Sequence, residues 1–392
     1  PHVVFGDELG TAAAPSLHLF RYSGGVVEIV NVAAASTDGD IPGQMLHALK
    51  PTHLVTSVER AVETGVLDED EAGDTVFLPR SMTESDARGT LGAGQFLARR
   101  PVISRLLDVP VPMPGMDGEL LYPATGYDSR FGTWLDPNAP PIRTMGVDEA
   151  LELILGELFP LPENGGFWWH DEQARTHAIA RFLTPMCRGL MKWRRTPLWI
   201  FDGNREGCGK DTCANVAHIV YAGAPVICAP LSKDCDEEMR KRITAALMQG
   251  SRYFHLANMK GHVRYASLEA ATDDSGIWED RRLGASETLR LPNETEYSFS
   301  ANNATWEPDI ERRCRRIRLR FCPEHVNAHR YRHADIRQWL LSMRGELVSA
   351  AAALVTHWVR MGSPAGPSPF ASFPVWGRVV GGVMHACGLW VR

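Results

Sequence analysis

The chain has 392 residues, a formal net charge of −6, 44% hydrophobic residues and 22% charged residues. That length predicts two or three domains, and the acidic balance excludes a globally basic nucleic-acid binder, so any such contact has to come from a local patch. No apolar run approaches the roughly 20 residues of a membrane span, and eight scattered cysteines without a CxxC pair point to reduced thiols rather than to a disulfide framework or a zinc site.

The opening PHVVFGDELG lacks the basic start and apolar core of a secretory signal, so a cytoplasmic location is expected. A chain that starts on Pro1 and ends in apolar sequence reads as a piece of a longer protein. Residues 1–109 are expected to form a mixed α/β N-terminal domain. Within it, residues 18–32 alternate like a hairpin about a glycine turn, and residues 42–67 and 90–109 read as helical. Three prolines and two glycines in residues 110–118 predict a linker. Short strands are expected in 119–136 and helices in 147–159 and 171–191. In the last of these Ile179, Phe182, Leu183, Met186 and Leu190 recur at three and four residues. Residues 110–195 therefore read as linker, strand hairpin and helical collar.

From residue 196 strands and helices alternate. TPLWIFDGN is a buried strand and loop, KDTCANVAHIVYAG and EEMRKRITAALMQG are helices ending in glycine, and SRYFHLANM and TEYSFSANN are strands. This predicts a parallel α/β core over 196–325. Helices resume in a C-terminal region, 326–392.

The stretch FDGNREGCGKDTC, residues 201–213, lies at the junction of strand and helix. The phosphate-cradling pattern G-x-x-x-x-G-K-[ST] fits such a junction, with two departures. Its first glycine is Gly203, one place early, so Asn204 stands at that position. The residue after Lys210 is Asp211, with Thr212 one place later. Gly207 and Gly209 allow the tight turn that aims backbone N–H groups at an anion, and the following helix adds its positive end. The nucleotide is therefore assigned to Gly203, Asn204, Glu206, Gly207, Cys208, Gly209, Lys210, Asp211 and Thr212, with Asp211 or Thr212 toward Mg2+. A second strand should deliver an acid to magnesium, but SRYFHLANMKG carries Ala257 followed by Asn258. The third strand ends in Asn302 and Asn303, which suit holding water or sensing a γ-phosphate. Six arginines then follow between Arg312 and Arg320, which read as a solvated face, as a strand with alternate charged sides or, more sharply, as a subunit edge where Arg312 or Arg313 acts as a finger on a neighbour's phosphate.

The ordered set PLWIFDGNREGCGKDT, ANMKG, WEDRRLGASE, FSANN and DIERRCRRIRL resembles the AAA+ ATPase domain of replicative helicases of phages, plasmids and other mobile elements, close to superfamily 3 and minichromosome-maintenance helicases. The resemblance covers roughly residues 119–392. It implies a P-loop AAA+ parallel-sheet core, ATP and Mg2+ as cofactors, single-stranded DNA as partner, a homo-hexameric ring, and a primase-polymerase or other replication proteins as companions. It also implies a Walker A role for Lys210, sensor 1 for Asn302 or Asn303, a trans-acting finger at Arg312 or Arg313, and sensor 2 for Arg344. The hairpin before sensor 1 would grip DNA near Arg290. The family carries Asp where this chain has Ala257, which implies an ATPase deficient in hydrolysis. Two other readings stand beside it: an ATP-binding scaffold or loader without its own hydrolysis, and a phosphotransferase, since GKDT resembles nucleotide kinases.

Overall fold

The computed structural model describes residues 18–32, 43–61, 63–226, 231, 235–273, 275–281, 288–321, 331–367 and 370–389. Strands β1 (Leu19–Tyr22) and β2 (Gly25–Val32) form the expected hairpin. Its two turn residues, Ser23 and Gly24, are both left-handed, with φ of +48° and +81°, as a two-residue hairpin loop requires. Residues 43–48 form strand β3 (Gly43–Ala48), antiparallel to β2, where a helix was expected. Helix starts only at Pro51, in α1 (Pro51–Ala61). An exposed hairpin follows, β4 (Gly65–Glu69) and β5 (Thr75–Pro79). After it come α2 (Glu84–Gly92), with a Thr83–Asp86 capping box, and α3 (Gly94–Ala98). Pro101 follows, and residues 105–107 are strand β6 (Arg105–Leu107), so the apolar run 90–109 is helical only in its first part.

Residues 110–118 are not an exposed linker. They form a strap whose Val111 and Met113 are 4% and 3% exposed inside the main core, and β7 (Met113–Pro114) pairs with β8 (Leu120–Leu121). Strands β9 (Gly126–Asp128) and β10 (Thr133–Leu135) complete a small sheet with β6. The stretch expected to form a helical collar contains α4 (Val147–Glu152), which widens into a π turn over Leu153–Leu158, and α5 (Glu172–Cys187).

The centre of the molecule is a four-stranded parallel sheet. Its members are β11 (Leu198–Gly203), β12 (Tyr253–Met259), β16 (Glu296–Asn302) and β18 (Cys314–Leu319), in the order β12-β16-β11-β18. Between β11 and β12 lie α6 (Lys210–Ala222) and α7 (Asp236–Met248). Between β12 and β16 lie β13 (His262–Val263), α8 (Ala266–Ala271) and the hairpin β14 (Ile277–Arg281) and β15 (Thr288–Pro292). Then come β17 (Thr305–Trp306) and α9 (Pro308–Glu311). Helices α10 (Ile336–Ser342), α11 (Arg344–Arg360) and α12 (Pro374–Ala386) end the chain. None of the described helices is long and apolar enough to cross a membrane.

Period-2 alternation splits this sheet between two cores. Trp199, Phe201, Ile317 and Leu319 pack with the collar, α6 and the C-terminal helices. Leu198, Ile200, Phe254, Phe299 and Ala301 pack on the other side with α7. The N-terminal sheet divides the same way. Phe20, Tyr22, Val27 and Leu46 join the second of these cores, while Leu19, Val26 and Leu49 pack on α1 to α3. Tyr22 donates its hydroxyl to the Leu247 carbonyl (2.9 Å), and the Leu46 N–H donates to the Gln249 carbonyl (2.9 Å).

Candidate functional site

The loop after β11 has the backbone of a cradle. Gly207 and Gly209 sit at φ of +81° and +84°, a region that costs other residues roughly 1–2 kcal/mol. Gly209 is the N-cap of α6, and no side chain caps the helix there, so its first N–H groups stay available to a ligand. The first departure from the phosphate pattern has a physical reason. A Cβ on Gly203 would meet the Cys208 sulfur at 2.4 Å, so glycine is needed at the strand end. Asn204 serves as a tie: its Oδ1 accepts from the Phe321 N–H at 2.6 Å and its Nδ2 donates to the Phe321 carbonyl at 3.4 Å. The loop is thereby fastened to the segment after β18. Cys208 is buried, and that burial raises its thiol pKa.

Lys210 opens α6 and is 4% exposed. Its Nζ lies 3.4 Å from Asp211 Oδ2. The other carboxylate oxygen, Asp211 Oδ1, is buried and without a hydrogen-bond partner among the described residues. Lys210, Asp211 and Thr212 line a cavity of about 400 Å3. Its other walls come from the collar (Leu158, Gly166, Phe167) and from residues 331–336, none of which the sequence reading singled out. Phe167 lies across Gly209, at 3.5 Å from where a Cβ would stand. Arg332 binds the collar through its N–H to the Gly165 carbonyl (3.0 Å) and through an ion pair with Glu157. A mostly apolar cleft beside an uncapped helix end, with one lysine and one unsatisfied carboxylate oxygen, suits a magnesium nucleotide in both shape and charge.

Asn302 stands beside Gly203 in the β11–β16 ladder, and its Oδ1 is buried without a hydrogen-bond partner among the described residues. Asn303 is left-handed, at φ +54°. It donates its N–H to Asp202 Oδ1 (3.1 Å) and its Nδ2 to the Asn204 carbonyl (3.4 Å). Burial raises the Asp202 carboxyl, and this N–H opposes the shift. Both asparagines therefore lie with the cradle, while Glu206 is on its exposed rim. At the end of β12 the ladder shifts register between Leu256 and Met259. Ala257 is part-buried at that irregularity, and Asn258 is left-handed, with its N–H on Ser300 Oγ (3.1 Å).

Between α6 and the sheet runs a polar seam that the sequence alone did not reveal. Glu296, Ser298 and Ser300 alternate along β16 and are at most 3% exposed. Arg181 pairs with Glu296 (2.8 Å) and donates to His218 Nε2 (3.1 Å). Arginine can only donate, so His218 carries its proton on Nδ1, which faces Asn215 Oδ1 at 3.2 Å. Burial, with Arg181 second, holds the His218 pKa well below that of a free imidazole. His255 contacts Ser298 Oγ (2.8 Å), and burial lowers it to about 4.

The remaining predicted residues lie elsewhere. Arg344, to which the resemblance gave a sensor 2 role, sits at the end of α6 away from the cradle. There it is 4% exposed, with its guanidinium donating to the carbonyls of Val220 (2.9 Å), Tyr221 (3.3 Å) and Asp108 (2.8 Å). Arg312 and Arg313 precede β18, whose Cys314 pairs with Leu198 and whose Leu319 pairs with Gly203. They are thus roughly 17 Å along the sheet from their own cradle. Arg313 is held by the Glu269 carbonyl (2.6 Å) and Asp309 (3.4 Å). Arg312 is exposed and pairs with Asp309 (2.7 Å). Arg290, on the exposed hairpin β14–β15, pairs with Glu279 (2.7 Å). The hairpin tip, residues 282–287, lies outside the described residues.

No protein-family model and no curated protein sequence matches the chain. Among solved structures, the chain is similar to the C-terminal region of NrS-1 at 12% identity and a TM-score of 0.37, over 64% of this chain and 54% of that one. It is also similar to a JCV helicase (14%, TM-score 0.26, 55% of this chain and 60% of that one). A third match is SCCmec type IV Cch, described as an active helicase (12%, TM-score 0.30, 96% and 75%).

Proposed function

We propose that the chain is a magnesium-ATP-binding motor of the helicase or translocase kind, serving replication of a phage, plasmid or other mobile element. The observation that carries the nucleotide part is the uncapped, left-handed entry to α6, with Lys210 and Asp211 opening on a cavity. In this reading backbone N–H groups of residues 207–210 hold the phosphates and Lys210 reaches the outer ones. Asp211 and Thr212 hold magnesium, and the base lies toward Phe167. Asn302 and Asn303 orient water at the γ-phosphate. Bound ATP supplies the phosphoanhydride whose hydrolysis drives movement.

Subunits form a ring, a homo-hexamer, with Arg312 or Arg313 reaching the neighbour's ATP. Their distance from their own cradle supports a trans role, and the exposure of Arg312 favours it over Arg313. Single-stranded DNA passes the β14–β15 hairpin near Arg290. A second reading, an ATP-binding scaffold, is favoured by Ala257, which leaves no carboxylate where the acid is expected.

The nucleotide part is tested by titrating the chain with a fluorescent ATP analogue in the presence of Mg2+, where saturable binding is expected and its absence sinks the assignment. The two readings are separated by Ala257→Asp, expected to raise ATP turnover about a hundredfold. The motor reading fails if the variant, with DNA present, stays as slow as the parent. In that background, Arg312→Ala chains mixed with Lys210→Ala chains should recover activity that neither has alone. Monomers by light scattering with ATP and DNA present would overturn the ring.

A further inference from the structure

Away from the cradle, three donor groups converge on the N-terminal sheet. Glu28 on β2 and His47 on β3 face each other across the antiparallel ladder. His53 lies on the first turn of α1, its N–H on the Lys50 carbonyl (3.0 Å). His47 Nδ1 is 3.2 Å and His53 Nδ1 is 3.5 Å from the same atom, Glu28 Oε1. The two rings are 5.3 Å apart between centroids, and one donor atom from each residue can be chosen so that all lie within 4.8 Å of one another. We propose that Glu28, His47 and His53 form a site for one divalent transition-metal ion, with zinc the preferred occupant.

The distances fit the ion. Zinc binds imidazole nitrogen and carboxylate oxygen at about 2.0–2.2 Å in a tetrahedron, which sets neighbouring ligand atoms roughly 3.3–3.5 Å apart. The two His–Glu edges, 3.2 and 3.5 Å, match that spacing, and the His–His edge lies within 4.8 Å. Two imidazoles and one carboxylate select zinc and its neighbours over the harder magnesium and calcium. The placement is stiff: the ladder fixes Glu28 against His47, and the Leu49 N–H on the Val26 carbonyl (3.0 Å) fixes the approach to α1. His53, 47% exposed, leaves the fourth position open to water. A bound ion ties β2, β3 and α1 together, so metal and folding of this region are linked.

The test uses the full 392-residue chain, stripped with a chelator and titrated calorimetrically with zinc. One equivalent with a dissociation constant of micromolar or below is expected, together with a rise of several degrees in melting temperature. Cobalt in place of zinc should give visible d–d bands without thiolate-to-metal charge transfer, because no cysteine takes part. Glu28→Gln and His53→Ala should each weaken zinc at least tenfold and remove most of the melting shift. Their metal-free melting temperatures should stay near the parent's, which distinguishes a lost ligand from a misfolded chain. No uptake at micromolar zinc, unchanged affinity in both variants, or thiolate bands from the tightest cobalt equivalent would each overturn the site.

Discussion

The two ends of α6 are built in opposite ways. At its C-terminal end Gly223 turns left-handed at φ +77°, and Arg344 is buried against the last carbonyls of the helix, Val220 and Tyr221. Positive charge there complements the helix dipole and satisfies orphan acceptors. At its N-terminal end no side chain caps the helix, and Asp211 Oδ1 is buried without a hydrogen-bond partner among the described residues. The closed end holds the fold, while the open end is the one to which the proposed function assigns the nucleotide.

Arg344→Ala should have the largest effect. It leaves buried carbonyls unpaired, and a cost of about 3 kcal/mol in unfolding free energy is expected from urea melts. Nucleotide affinity of the remaining folded protein should be unchanged, and a weakened affinity would mean the two ends are coupled. Lys210→Ala should do the reverse. A roughly 10- to 100-fold loss of ATP-analogue affinity is expected, with the melting temperature almost unmoved; a large drop in melting would show that the lysine is structural. The smallest effect lies along the middle of the helix. His218 is neutral when folded but titrates near 6.5 when unfolded, so the unfolded chain binds more protons as the pH falls below that value. Stability should therefore decline from about pH 6.5 downward, by up to roughly 1.4 kcal/mol per pH unit for this group. His218→Gln keeps an acceptor for Arg181 and should flatten that slope in urea melts from pH 7 to 5. An unchanged slope would assign the acid sensitivity to other buried groups such as His255.

Three of the four sheet strands, β11, β12 and β16, and helix α6 were legible because glycines and apolar runs mark them locally, whereas the arginine-rich β18 reads as either a solvated face or a charged strand. Strand β3 was not legible: Gln44, Met45, Leu46, His47 and Ala48 carry no strand preference as a set, and pairing with β2 decides their state. The strap at 110–118 has the composition of a linker, and only packing shows that Val111 and Met113 are core. At the cradle the sequence located Lys210 and both asparagines, since these adjoin the loop along the chain or the ladder. It missed Phe167 and the 331–336 wall, which reach the cavity through tertiary contact. The sensor 2 role it took for Arg344 from the resemblance finds no phosphate-side contact, since packing sets that side chain against the Val220, Tyr221 and Asp108 carbonyls.

One consequence follows from the N-terminal sheet, whose two faces belong to two cores. A sheet that contributes Phe20 and Tyr22 to one side and Leu19 and Val26 to the other cannot open without exposing both. The boundary expected near residue 109 therefore crosses a shared core, and unfolding is expected to be cooperative across it. A chain cut there would leave Leu247 and Gln249 without the partners that Tyr22 and Leu46 provide. Slow amide hydrogen exchange would follow the same rule, with β1 and β3 protected as long as β11 and β16, and the molecule unzipping as one unit.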